Sequence, residues 1–146
     1  QRFTEVVLPD LLDEYVRTGI VRIVYHQVAA LGPESLYAAM AAECAADQGM
    51  FWEYYEVLFA NQGAENQGTF AKSNLKAFGA LIGLDEAEFG ACVDDDRHLQ
   101  RIEDSTQSAF DDGLTAAPGF RVGDRFIQGF QPYAIVSGQI ESQLEQ

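Results

Sequence analysis

The stretch QRFTEVVLPDLLDEYVRTGIVRIVYHQV, residues 1–28, decides how the chain is read. Phe3, Val7, Leu11 and Tyr15 recur at every fourth position, with Val6, Leu8, Leu12 and Val16 beside them. That spacing puts apolar groups on one face of a helix. The helix runs to about Thr18 and stops at Gly19, a residue that tolerates the left-handed turn after a helix. Pro9 lies inside it. Proline deletes one backbone hydrogen bond and crowds the carbonyl four residues back, which predicts a kink. Ile20–Val28 is rich in β-branched residues and too apolar for a strand with one wet face, which predicts a buried strand. No capping Ser, Asp or Asn, no strand and no turn comes before the helix.

The whole chain of 146 residues has the size of one domain. Hydrophobic residues make up 47% and aromatic residues 12%, enough to build a core. Nine Lys and Arg stand against 23 Asp and Glu, a formal net charge of -14. Nucleic acids and anionic membranes need basic patches, so the balance argues against both as partners. No apolar run approaches the roughly 18 residues of a membrane span, and no signal peptide is visible.

Further along, Pro33 occupies the favoured first-turn position of a helix that ends near Gly49. MFWEYYEVLFANQ predicts a second helix with Phe51, Trp52, Tyr55, Leu58 and Phe59 on its apolar face. Gly63 to Gly68 reads as a polar loop. A third helix is capped by Ser73 and closed by Gly83, and a short fourth opens on a capping box of Asp85 with Glu88. A longer helix runs from about Arg97 to Asp112, with Leu99, Ile102, Ala109 and Phe110 as its stripe. The character then changes. PGFRVGDRFIQGF reads as two short strands around a Gly123-Asp124 turn, and a last helix from Pro132 presents Tyr133, Val136, Ile140 and Leu144. Three strands are few for this much helix. The strand at 20–28 cannot pair with the hairpin by a short connection, so the count implies a missing strand.

This order of elements resembles the DsbA-like branch of the thioredoxin superfamily. The likeness rests on Phe3, Val7, Leu8, Pro9, Leu11, Tyr15, Val16, Thr18 and Gly19, followed by Val21, Arg22, Val24 and Tyr25. It continues through AAECAADQGMFWEYYEVLFANQ, IGLDEAEFGACV and GLTAAPGFRVGDRFIQGFQPY, nearly the whole chain in order. The resemblance implies an α/β thioredoxin-like fold over 1–146, a single domain with a helical insertion at 33–96. It implies that the family's first strand, and a C-x-x-C whose second cysteine would fall immediately before Gln1, lie outside this chain. In the family that dithiol sits at a helix N-terminus, where unpaired N–H groups favour the thiolate that attacks sulfur. Opposite it stands a cis-proline, and Pro118 takes that position. Ala117 would then offer its backbone to an extended substrate, although the family often has Thr or Val there. Without the resemblance, Ala116-Ala117-Pro118 reads as an ordinary trans turn before a strand.

Cys44 and Cys92 form no C-x-x-C and have no zinc spacing. One reading makes either a nucleophile, but neither begins a helix or has a charged helper nearby. A second makes them buried thiols acting as small hydrophobes. The resemblance adds a third, a structural disulfide between the first and fourth helices of the insertion, since similar relatives carry both cysteines and work outside the cytoplasm. His26 and His98 are isolated and read as ordinary strand and helix residues rather than metal ligands. Phe51, Trp52, Tyr54 and Tyr55 read mostly as core, and Asp94 to Asp96 as a helix start favoured by the dipole.

The implied function is a DsbA-type thiol–disulfide oxidoreductase, periplasmic, envelope-bound or secreted. It would act on cysteine-containing proteins with a redox partner protein, and without metal, cofactor or nucleic acid. The 146 residues alone are expected to be inactive for want of the C-x-x-C. Two alternatives stand beside it: a relative of the kappa-class glutathione transferases and isomerases, and a non-catalytic binding domain of the same fold.

Overall fold

The computed structural model describes residues 2–145. Gln1, expected to follow an active-site cysteine, lies outside the described residues. The order is α1 (Arg2–Val6), α2 (Leu8–Leu11) running into a wider π-helical turn (Leu12–Val16), α3 (Pro33–Asp47), α4 (Phe51–Ala60), α5 (Lys72–Leu81), α6 (Glu86–Asp94), α7 (Leu99–Asp111), β1 (Gly119–Val122), β2 (Arg125–Gln128) and α8 (Tyr133–Leu144). The fold is thioredoxin-like, mostly helical with a small two-stranded sheet. The chain divides into two compact units, Gln1–Tyr25 with Phe110–Gln146, and His26–Ala109. The helical unit is therefore wider than the insertion expected at 33–96. It takes in most of α7, because the fully buried Ile102 packs with Ala39 and Met40 of α3.

In the first unit the break falls at Val7, two residues before Pro9. The proline then sits in the first turn of α2, where its missing N–H costs nothing and its ring has room. The π turn was not foreseen. The Arg17 N–H bonds the Leu12 carbonyl, five residues back, at 2.9 Å. Gly19 closes the segment at φ 77°. Val7, Leu11 and Tyr15 bury against Val136 and Ile140 of α8, flanked by Phe3, Val122 and Phe130. Leu144, expected on that same face, is exposed. The hairpin is antiparallel, with Phe120 opposite Ile127 and Arg121 opposite Phe126, and turns at Gly123 with φ 60°.

The strand expected at Ile20–Val28 does not form. Among the described residues β1 and β2 pair only with each other, and β-rich composition makes a strand only where a neighbour takes its N–H and C=O groups. Ile20 and Val24 are more than half exposed. Farther on, in the helical unit, side chains replace the ladder. Ser105 Oγ donates to the Gln27 carbonyl at 2.7 Å, and the Ala29 N–H donates to Thr106 Oγ1 at 3.0 Å. His26 therefore lies outside any strand.

The helical unit is built around small residues. Ala41, Ala42, Cys44 and Ala45 of α3 meet Tyr54 of α4, Leu75 of α5, and Phe89, Cys92 and Val93 of α6. Tyr54 and Tyr55 are the buried aromatics of α4, and Tyr54 is wholly enclosed. The Tyr54 hydroxyl donates to the Leu75 carbonyl at 2.8 Å and its ring meets the Phe89 ring edge-on. Trp52, expected on the apolar face, is 44% exposed. It stacks within a chain of rings with Phe51, Tyr55 and Phe59.

Three expectations about caps are corrected. Ala71, not Ser73, precedes α5, and no side chain caps that helix end. Asp85 accepts from the Glu88 N–H at 2.9 Å as foreseen, but its own N–H goes to Gln48 Oε1 at 2.8 Å rather than to Glu88. Asp94 to Asp96 close α6 instead of opening a helix. There they pair with cations of α5, Asp94 with Lys76 at 2.9 Å and Asp96 with Lys72 at 2.7 Å.

Candidate functional site

The loop that joins α7 to the hairpin is held by one side chain. Gly113 ends the helix at φ 90°. Gln128, the last residue of β2, then turns its amide back onto the loop. Its Oε1 accepts from the Thr115 and Ala116 N–H groups at 3.1 and 3.3 Å, and its Nε2 donates to the Gly113 carbonyl at 2.6 Å. The Gly129 N–H adds a bond to the Ala116 carbonyl at 3.3 Å. These four contacts fix the backbone just before Ala117, which is exposed. The Ala117–Pro118 peptide is cis. Gly119 lets Leu114 and Phe126 lie close to the backbone, since a Cβ there would come within 2.4 Å of Leu114 Cδ1 and 3.0 Å of Phe126 Cζ.

The start of the first helix lies against the same hairpin. The Phe3 and Phe120 rings stand 4.5 Å apart between centroids, and the Arg2 guanidinium lies 4.5 Å from the centre of the Phe130 ring. Phe120 is two residues past Pro118. Residues far apart in sequence, Arg2 and Phe3 on one side and the 113–120 loop on the other, are thereby brought to one place. Gln128 was missed by sequence reasoning. The available signal was a polar residue at a half-buried strand position, just before Gly129.

Elsewhere in this unit two phenols meet two carboxylates. Tyr15 donates to Glu141 Oε1 at 2.6 Å, and Tyr133 donates to Glu14 Oε2. Each bond holds the phenol proton. Tyr15 is raised above its ordinary value chiefly by the bond to Glu141, and Tyr133 chiefly by the bond to Glu14.

In the helical unit Cys44 of α3 and Cys92 of α6 form a disulfide, with Cα atoms 5.9 Å apart. Both residues are 1% exposed. An attacking thiolate must reach a sulfur along the S–S axis, so burial sets this cystine apart from an exchanging one. The nucleophile reading of either cysteine is thereby set aside. His98 is neither isolated nor helical. It sits in the turn before α7, with Nε2 2.8 Å from Asp47 Oδ2.

Several known proteins are similar to this chain. Residues 1–142 match the family model described as Thioredoxin. Among curated proteins, the Na(+)/H(+) antiporter NhaA of Herminiimonas arsenicoxydans is 33% identical over 110 residues, 75% of this chain and 17% of that protein. Na(+)/H(+) antiporter NhaA 1 of Salinispora arenicola is 30% identical over 110 residues, 75% of this chain and 16% of that one. The chain thus spans about a sixth of the length of these curated relatives. Among solved structures, oxidised BdbD from Bacillus subtilis matches with a TM-score of 0.89 at 21% identity, over 99% of this chain and 80% of that one. A thioredoxin-like oxidoreductase from Silicibacter pomeroyi gives 0.79 at 22% identity, covering 95% and 76%. The α-DsbA1 of Wolbachia pipientis gives 0.79 at 19%, covering 96% and 76%. At these identities the structures establish a shared fold. The family match extends over nearly the entire chain, and the chain belongs to the thioredoxin family.

Proposed function

We propose that this domain serves a thiol–disulfide oxidoreductase of the DsbA type, acting on cysteines of proteins outside the cytoplasm. The observation that carries the reading is the Gln128-clamped loop at Ala117–Pro118, set beside the start of the first helix. The reacting pair would be a C-x-x-C directly upstream of Gln1, and Ala117 would receive an extended substrate segment as an added strand. A substrate thiolate attacks one sulfur of the enzyme disulfide, forming a mixed disulfide and releasing the other enzyme sulfur as thiolate. A second substrate thiolate then attacks the mixed disulfide. Two electrons pass from the substrate dithiol to the enzyme, and a redox partner protein of the same chemistry takes them onward. The buried Cys44–Cys92 bond takes no part. It supports the localisation, because structural disulfides persist in oxidising compartments.

The test is insulin reduction and oxidative refolding by the 146-residue chain and by a version extended at its N-terminus to include the upstream C-x-x-C. The extended protein is expected to turn over and the shorter one is not. Gln128→Ala in the extended protein is expected to lower kcat/KM by about ten-fold, equivalent to about 1.4 kcal/mol. Turnover by the shorter chain would overturn the reading. Tight glutathione binding by the extended protein, without disulfide exchange, would move the assignment to the glutathione transferases.

A further inference from the structure

The cystine of the helical unit has neighbours that a purely structural staple does not require. The sulfurs of Cys44 and Cys92 and a ring nitrogen of His98 all lie within 4.8 Å of one another. Asp47 Oδ2 stands 2.8 Å from His98 Nε2 and 3.9 Å from Cys92 Sγ. Three elements supply these groups. Cys44 and Asp47 are three residues apart on one face of α3, Cys92 comes from α6, and His98 from the turn that follows it.

We infer that, when the Cys44–Cys92 bond is reduced, Cys44, Cys92, His98 and Asp47 form a four-ligand site for a zinc-type divalent cation. Two thiolates, an imidazole and a carboxylate are a donor set that favours tetrahedral zinc over calcium or magnesium. Metal–sulfur bonds of about 2.3 Å at a tetrahedral angle put two sulfurs about 3.8 Å apart. The sulfurs must part to that spacing; His98 already stands close to both of them, while Asp47, 3.9 Å from Cys92 Sγ, has to turn inward to complete the shell. The ion would enter from the Asp47 side. That side chain is 37% exposed, against 14% for His98. The Arg97 guanidinium, 3.9 Å from the same carboxylate oxygen and itself 44% exposed, must swing into solvent to make way.

Opening the disulfide takes two electrons and two protons. They come from a small-molecule dithiol, which reaches the buried sulfurs only when α3 and α6 part locally and is itself oxidised to a disulfide. Metal binding then releases both thiol protons to solvent as the sulfurs become thiolates. The two states exclude each other, since sulfurs bonded to one another are not thiolate ligands. The reduced helical unit, deprived of its covalent staple, would be held by the metal instead.

The experiment is a cobalt titration of the protein in two forms, oxidised and phosphine-reduced under anaerobic conditions, followed by absorbance and far-UV circular dichroism. The reduced protein is expected to bind one equivalent, with a thiolate-to-cobalt charge-transfer band and the intense visible bands of a tetrahedral ion. The oxidised protein is expected to show neither. His98→Ala and Asp47→Asn are expected to weaken binding by at least about ten- to a hundred-fold, while His26→Ala leaves it unchanged. A reduced protein without a charge-transfer band would overturn the site, and so would His98→Ala with the wild-type spectrum and affinity. If reduction unfolds the chain, cobalt or zinc is expected to restore its helical signal, because an ion bound only by the folded state stabilises it. Failure to restore it would count equally against the site.

Discussion

The two units use different means to hold a chain together. The helical unit buries small side chains against aromatic ones and then locks α3 to α6 with a cystine. The other unit has a smaller apolar cluster, Val7, Leu11 and Tyr15 against Val136 and Ile140, with tyrosine–carboxylate bonds around it. It also leaves Ile20, Val24 and Tyr25 exposed. The difference shows what each kind of element needs. A helix closes its own backbone hydrogen bonds, so packing one stripe is enough to place it. An extended segment has to borrow its hydrogen bonds from a neighbour, and composition cannot provide one.

The largest effect that would sharpen this contrast is removal of the staple. Cys44→Ala with Cys92→Ala is expected to cost about 4 kcal/mol on the chain-entropy account of so long a loop. Denaturant unfolding measures the loss, and amide exchange in α3 and α6 locates it. A loss well below 1 kcal/mol would mean that helix packing alone holds the unit. Next is Gly79→Ala on α5. A Cβ there would meet Phe89 Cε1 at 2.6 Å and Leu84 Cδ1 at 3.2 Å. Overpacking of this kind costs about 1–3 kcal/mol, more than the helix propensity gained by replacing glycine. The expected result is a lower thermal midpoint despite the better helix former.

Smaller effects come from the phenols. Tyr54 is raised above its ordinary value of 10.0 by burial, and Tyr15 and Tyr133 are raised mainly by their carboxylate partners. In each case the folded state keeps a proton that the unfolded chain releases above about pH 10. This stabilisation is complete below that pH and is lost as pH rises beyond it. Denaturant midpoints are expected to fall above pH 10, and Tyr54→Phe is expected to flatten that fall while costing about 1 kcal/mol at neutral pH. Tyr15→Phe is the smallest change, less than about 1 kcal/mol, because its bond to Glu141 is only partly buried. A larger loss than that from Tyr54→Phe would reverse the ranking of the two units.

Most helices were legible because each carries its own signals. Pro33 marks the start of α3, Asp85 caps α6, and Gly19, Gly49, Gly83 and Gly113 close their helices with positive φ. The hairpin was legible because Gly123-Asp124 separates two apolar pairs. Two of the errors share a cause. Glu88 and Asp94 to Asp96 have residue types suited to helix starts, yet Gln48 takes the Asp85 N–H, and Lys72 and Lys76 pair with the acidic groups at the end of α6. Each competing partner lies well away in sequence, where local pattern has no reach. Gln128 was overlooked for the same reason, since its amide serves a loop more than ten residues earlier.

The sequence by itself determined the helix order, the hairpin and membership of a thioredoxin-like fold. The helix order and the hairpin follow from periodicity and turn chemistry, which act over a few residues; the fold membership came from the resemblance of the motifs, taken in order, to a known family. Tertiary structure alone decided that Ile20–Val28 is not a strand, that Tyr54 rather than Trp52 enters the core, and that His98 stands beside the cystine with Asp47. Each of those outcomes depends on a partner brought from elsewhere in the chain. Burial, ladder pairing and side-chain proximity are properties of two surfaces meeting, and only the folded chain specifies which surfaces meet.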